Sequence, residues 1–66
     1  MTSEEQPEVE LQDFTVIWVD DSMGTTEFER ISGSSIEGDL LRLYAEGYMN
    51  TVNMRQVLWM EVRPSP

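Results

Sequence analysis

The carboxylate pair Asp20-Asp21 is the feature of the sequence that comes nearest to a chemical site. The pair opens residues 20–24, whose composition is typical of a turn. Together with backbone carbonyls and Glu27, the two acids could bind a divalent cation. The calcium-loop pattern of spaced Asp or Asn, a central Gly and a late Glu is absent. We therefore interpret the pair as turn residues that accept local hydrogen bonds, and predict no metal site.

The composition excludes most other chemistry. The 66 residues include no Cys, His or Lys, which removes disulfides, thiolate metal sites, the commonest general base and Schiff-base lysines. No glycine-rich phosphate-binding motif occurs, and four Arg among thirteen acids form no basic stripe. So small a domain also offers no deep substrate cleft. We predict no enzymatic activity, no cofactor and no direct binding of nucleic acid.

Charge is distributed unevenly along the chain. The net charge is −9, and residues 1–13 contain five acids and no base, so they carry more than half of it. Such a chain repels nucleic acid and anionic membranes and attracts basic protein surfaces. We interpret residues 1–7 as a disordered acidic leader. No signal-peptide pattern and no run of about 20 apolar residues is present, so the sequence predicts a cytoplasmic protein with no membrane contact.

Three stretches have the residue types of strands. Phe14 to Val19 is β-branched or aromatic and apolar on both faces, as a central strand requires. Thr25 to Ile31 is a more highly charged candidate, and charge suits an edge strand. Alternation of apolar residues predicts a third strand that contains Val57 to Val62.

Residues 34–49 have the pattern of a helix. Ser34 and Glu37 fit a capping box, and Gly47 is a plausible stop. Ile36, Leu40 and Leu43 would form the buried stripe. The predicted fold is therefore α+β: a small ββαβ domain over residues 8–63, with a three-stranded sheet of order 2-1-3, one helix on one face and a short tail at 64–66.

The apolar residues exceed what one helix can cover. The sheet face opposite the helix would be left for a partner, unless Val9 and Leu11 or a tail cover it. Leu41, on the side of the helix away from the stripe, would pack under a loop or contribute to the partner surface. The predicted partner-binding residues are Ile17, Val19, Arg55, Val57, Trp59 and Leu41. Aromatic and Arg residues on an apolar patch are typical of interfaces. The predicted acidic surface consists of Asp20, Asp21, Glu27 and Glu29.

These features favour a small, non-enzymatic protein-binding module. By analogy, compact acidic proteins of phages and mobile elements often inhibit or modulate a larger protein. The partner is expected to be another protein or a second copy in a homodimer. One alternative is an acidic mimic of nucleic acid that occupies a basic groove. A second alternative is a small self-associating structural subunit.

Overall fold

The computed structural model describes residues 10–66 and shows an all-β fold. Two short 3₁₀ turns, Asp21–Met23 and Met54–Gln56, are the helical elements of that range. The six strands are β1 (Gln12–Trp18), β2 (Thr25–Ile31), β3 (Gly33–Glu37), β4 (Leu40–Ala45), β5 (Tyr48–Asn53) and β6 (Val57–Pro64). No helix within these residues is long and apolar enough to cross a membrane. The predicted leader at residues 1–7 lies outside the described residues.

The strands form two antiparallel sheets. Sheet A has the order β2-β1-β6, and sheet B has the order β3-β4-β5. Ser32 alone separates β2 from β3, and its backbone N–H donates to the Tyr44 carbonyl at 2.8 Å. The chain thus passes from one sheet to the other with almost no loop. The two sheets pack against each other with the core between them.

A β-bulge lies where β2 turns toward sheet B. Asp13 of β1 stands opposite two residues of β2, and the second of these, Arg30, has a φ of 59°. The Asp13 carboxylate accepts the Arg30 backbone N–H at 3.0 Å. Asp13 is only 7% exposed, and this hydrogen bond lowers its pKa, with further help from the Ser65 hydroxyl and the charge of Arg63. A bulge bends its strand, so this contact directs the chain from sheet A into sheet B.

The α+β prediction is wrong, because residues 34–49 form strands and not a helix. They contribute most of β3, all of β4 and the first residues of β5. Two-residue turns at 38–39 and 46–47 separate these strands. Gly38 has a φ of 60° and Gly47 a φ of 87°, a backbone region that glycine adopts without strain. Glycine at the first position of a two-residue loop is a hairpin signal, whereas the same Gly38 would cost a helix about 1 kcal/mol.

The core shows the two-residue period of strands. Leu41 and Leu43 of β4 are buried, whereas Leu40 is 37% exposed and Ile36 is 67% exposed. The predicted helical stripe is therefore correct for Leu43 and wrong for the other two residues. Alternate residues of a strand point to opposite faces, so Leu40 lies on the outer face of sheet B. The buried hydrophobic residues are Phe14, Val16, Ile31, Leu41, Leu43 and Val52.

The three strands that the sequence predicts correspond to β1, β2 and β6 and lie in the predicted order. The strand predicted at Phe14 to Val19 is central in sheet A, and the predicted second and last strands flank it. The ladder between β1 and β6 extends past the predicted boundary at residue 63. Pro64 lies opposite Gln12, and the Ser65 N–H donates to the Leu11 carbonyl at 2.9 Å.

Candidate functional site

The outer face of sheet A, which points away from sheet B, has an apolar end and a polar end. At the apolar end Ile17 of β1 lies directly opposite Trp59 of β6. Ile17 is 37% exposed and Trp59 is 61% exposed. Directly opposed residues of an antiparallel pair share a face, so these two side chains lie together on the outer face.

An irregularity in β6 adds a third apolar side chain at this end. Ile17 pairs with Trp59 and Trp18 pairs with Val57, which leaves Leu58 as an extra residue on β6. Leu58 is 66% exposed. Val19 follows β1, is 57% exposed, and donates its backbone N–H to the Gln56 carbonyl at 2.8 Å. We name the set Ile17, Val19, Leu58 and Trp59 the Trp59 patch.

The polar end is a closed hydrogen-bonded network. Arg63 donates from Nη1 to Thr15 Oγ1 at 2.6 Å and from Nη2 to Glu27 Oε1 at 3.2 Å. Thr15 donates in turn to Glu27 Oε2 at 2.8 Å, and Glu61 Oε1 lies 3.7 Å from Arg63 Nη1. The charges of this end are thus largely compensated within the protein.

The four residues of the predicted acidic surface do not form one surface. Asp20 caps the first 3₁₀ turn and accepts from the Ser22 hydroxyl at 2.8 Å and the Ser22 backbone N–H at 3.0 Å. These two bonds lower the pKa of Asp20. Asp21 follows in the same turn, next to the Val19 end of the Trp59 patch. Glu27 belongs to the polar end, and Glu29 lies at the bulge of β2.

Of the remaining predicted partner-binding residues, none lies in the Trp59 patch. Leu41 is 5% exposed within the core, because it lies on the inner face of β4 and not on a helix. Val57 is half-buried and packs against the core. Arg55 is exposed in the second 3₁₀ turn, with its Nε 3.9 Å from Asp39 Oδ2.

The exposure of Leu58 departs from strict alternation along β6, which predicts Leu58 on the covered face with Met60 and Val62. The irregularity at Ile17/Trp18 breaks that alternation. The available signal was the run of four apolar residues at 57–60, because a strand with one covered face does not continue for four apolar residues without a bulge or a second cover.

The described residues contain no other arrangement that suggests chemistry. Within residues 10–66 no three acidic side chains converge closely enough to hold a metal ion. A cleft of about 450 Å³ lies near the start of β1, at the other end of that strand from Ile17. It is lined by Leu11, Ala45 and Tyr48, by charged Glu29, Arg30 and Glu46, and by Ser32. The Ser32 hydroxyl donates to the Tyr44 carbonyl at 3.2 Å and not to a carboxylate that could act as its base.

Comparison with known proteins adds no family: no family model, no curated protein and no solved structure matches the chain.

Proposed function

We propose that the protein is a non-enzymatic protein-binding module whose contact surface is the Trp59 patch. The observation that carries the proposal is the exposure of Trp59, at 61%, directly opposite the exposed Ile17. A tryptophan in the middle of an interface often supplies a large share of the binding energy. A small domain buries little apolar surface on its own. The apolar area that a partner would cover at this patch is therefore large relative to the area already buried in the core.

The charge of the chain indicates how a partner approaches. Asp20 and Asp21 lie beside the Val19 end of the patch, and their 3₁₀ turn contains no basic residue. The whole chain carries −9. A basic rim on the partner would be attracted toward this end, and such steering raises the association rate more than it raises the affinity. In this proposal the protein modulates or inhibits its partner by occupying a surface. The proposal includes the predicted cytoplasmic location, which a chain without Cys fits.

The acidic-mimic alternative receives no support from this geometry. A mimic of nucleic acid needs a row of uncompensated carboxylates on a rigid surface. Glu27 is bonded to Arg63, and Glu29 lies at the far end of β2 from the Asp20 turn. The apolar end of sheet A, and not its acids, is the feature that lacks a covering group within residues 10–66.

The test compares two exposed aromatic residues on different sheets. Trp59→Ala removes the centre of the patch, and Tyr48→Ala, on β5 and 54% exposed, is the matched control. Proteins captured from extract by the wild-type chain are purified and titrated against each variant by calorimetry. We expect Trp59→Ala to weaken binding by about 2 kcal/mol or more, and Tyr48→Ala to have no comparable effect. Equal affinities for the wild type and Trp59→Ala would contradict the proposal.

A further inference from the structure

Glu61 is an exposed carboxylate beside the Trp59 patch. It lies two residues along β6 from Trp59, and these two residues pair with Thr15 and Ile17 of β1. Alternate residues of a strand share a face, so Glu61 and Trp59 both lie on the outer face of sheet A. The Glu61 side chain is 57% exposed. Its ion pair with Arg63 Nη1 spans 3.7 Å, which is longer than a hydrogen bond.

Arg63 is held by other groups of the same face. Its Nη1 atom donates to Thr15 Oγ1 at 2.6 Å, and its Nη2 atom donates to Glu27 Oε1 at 3.2 Å. Thr15 donates to the other Glu27 oxygen at 2.8 Å. Both Glu27 oxygens therefore accept a hydrogen bond, whereas Glu61 and Arg63 are further apart. Of these two carboxylates, Glu61 is the one with acceptor capacity for a group of another molecule.

Covering the Trp59 ring also removes water from Glu61. Two residues that alternate on one strand are about 7 Å apart, a separation that one long side chain can span. A carboxylate that loses water without gaining a partner weakens binding. A purely apolar occupant would incur this penalty, and an anionic occupant would be repelled. The occupant that fits is a cation with a flat surface, which can lie on the ring and reach the carboxylate.

We propose that the Trp59 patch recognises an arginine side chain of the partner protein. The guanidinium would stack on the Trp59 ring and donate to the Glu61 carboxylate. Guanidinium is planar, stacks on aromatic faces and matches a carboxylate with two donors, whereas the ammonium of lysine is a more strongly hydrated point charge. Apolar residues beside the arginine would contact Ile17 and Leu58. This inference rests on the proposed function, because it names the partner chemistry of the same patch, and it is narrower, since an apolar segment could also cover Trp59.

The charge of sheet A favours a basic partner over a second copy of the chain. Residues 12–31 and 57–64, which form sheet A and its first turn, contain six acids and two Arg, a net charge of −4. Residues 32–56 contain three acids and two Arg, a net charge of −1. A second copy would bring the same negative sheet to the contact, and its Arg42, Arg55 and Arg63 are in ion pairs. An arginine on a basic protein would instead be attracted at long range.

The three isoleucines of the chain provide reporters for a direct test. Ile17 lies in the Trp59 patch, Ile36 is exposed on β3, and Ile31 is 1% exposed in the core. The probe is the capped tripeptide leucine-arginine-leucine, titrated into protein that is isotope-labelled at the isoleucine methyl groups. The NMR signal of Ile17 should shift saturably, and the signals of Ile31 and Ile36 should hardly move.

A matched probe replaces the arginine by citrulline, which keeps the shape of the side chain and removes its charge. We expect the arginine peptide to bind about tenfold more tightly at low salt, because it both stacks on the ring and pairs with the carboxylate. Added salt should reduce this preference. Equal dissociation constants for the two peptides would overturn the inference. So would an Ile17 signal that does not respond to the arginine peptide at millimolar concentration.

Two variants of equal net charge identify the carboxylate. Glu61→Gln and Glu46→Gln each remove one negative charge, but Glu46 lies in the turn between β4 and β5. Glu61→Gln should reduce the preference for arginine over citrulline to about twofold or less, which is the part that stacking supplies. Glu46→Gln should leave the preference at its wild-type value, and an unchanged Ile31 signal verifies that each variant is folded. Equal effects of the two substitutions would indicate only net charge and would overturn the inference.

A last comparison separates this inference from the proposed function. In the calorimetric titration of the captured partner, Glu61→Gln should weaken binding about tenfold, from the loss of one charge-assisted pair. A partner that binds Glu61→Gln with full affinity, but binds Trp59→Ala more weakly, would overturn the arginine assignment and leave the Trp59 patch as the contact surface. A partner that is insensitive to both substitutions would contradict the proposed function as well.

Discussion

Truncation of Leu41 and of the adjacent Leu40 should have very different effects on stability. Leu41 is 5% exposed in the core and faces Val52 across the β4–β5 pair, whereas Leu40 is 37% exposed on the outer face of sheet B. Leu41→Ala removes buried methyl and methylene groups and leaves a cavity, at a cost of about 2–5 kcal/mol. Leu40→Ala removes a side chain that already contacts solvent, and should cost about 1 kcal/mol or less. A single core of this size supplies only about 3–5 kcal/mol in total, so the Leu41 variant should be largely unfolded.

Urea denaturation, followed by circular dichroism, measures this difference. Leu43→Ala serves as a second core variant, because Leu43 is fully buried on the same face of β4 as Leu41. If residues 40–45 form a strand, the Leu41 and Leu43 variants should both be severely destabilised and the Leu40 variant should not. If Leu40→Ala costs as much as Leu41→Ala, the alternation along β4 is wrong, and with it the placement of sheet B.

Two further predictions concern the turn at Gly38 and the carboxylate at the bulge. Gly38→Ala should destabilise the protein by about 1–2 kcal/mol, because alanine is strained at a φ of 60°. In a helix the same change would stabilise the protein by about 1 kcal/mol. The sign of the shift in thermal midpoint therefore distinguishes a turn at Gly38 from a helix. The pKa of Asp13 is lowered, so this carboxylate stabilises the fold at pH values above its ordinary pKa of 3.8. The stabilisation is lost as the pH falls through the lowered pKa of the folded protein. Asp13→Asn should therefore reduce stability near neutral pH and flatten the decline below about pH 4, and an acid-unfolding curve identical to that of the wild type would contradict the role of this carboxylate.

Sheet A was predictable because its strands differ in ways that local sequence records. The stretch at Phe14 is uncharged and β-branched or aromatic at every position, whereas Thr25 to Ile31 carries charge. Composition alone therefore places one strand in the centre and the other at an edge. The position of β6 beside β1 followed from the same argument.

Sheet B was not predictable by periodicity alone, because Leu40, Leu41 and Leu43 satisfy two periods at once. Leu40 and Leu43 are three residues apart and fit a helix; Leu41 and Leu43 are two apart and fit a strand. What decides between them is cross-strand pairing, such as that of Leu41 with Val52, which is not visible in a short window. The glycines at 38 and 47 are the local signal for the two turns, although a helix also tolerates Gly38 at a cost of about 1 kcal/mol.

Three residues of the candidate site could be predicted from the sequence. Ile17, Val19 and Trp59 lie on the outer face of sheet A, because strand alternation in β1 and β6 fixes that face. Leu41 was assigned to a helix side that does not exist. Leu58 is exposed through a bulge, and the position of a bulge depends on how two distant strands are paired.

The most direct test of the Trp59 patch is the solvent exposure of Trp59 in the free and bound protein. The chain contains two tryptophans, and the other, Trp18, packs against the core and donates its indole N–H to Thr26 Oγ1 at 2.9 Å. Fluorine NMR of the fluorotryptophan-labelled protein gives one resonance for each, and Trp59→Phe assigns them. We predict that the Trp59 resonance responds to solvent exchange and quenchers in the dilute protein, and becomes protected when a partner or a second copy binds. The Trp18 resonance should hardly change. A Trp59 resonance that is already protected in the dilute monomer, or that stays exposed in the complex, would contradict the assignment of this patch as the binding surface.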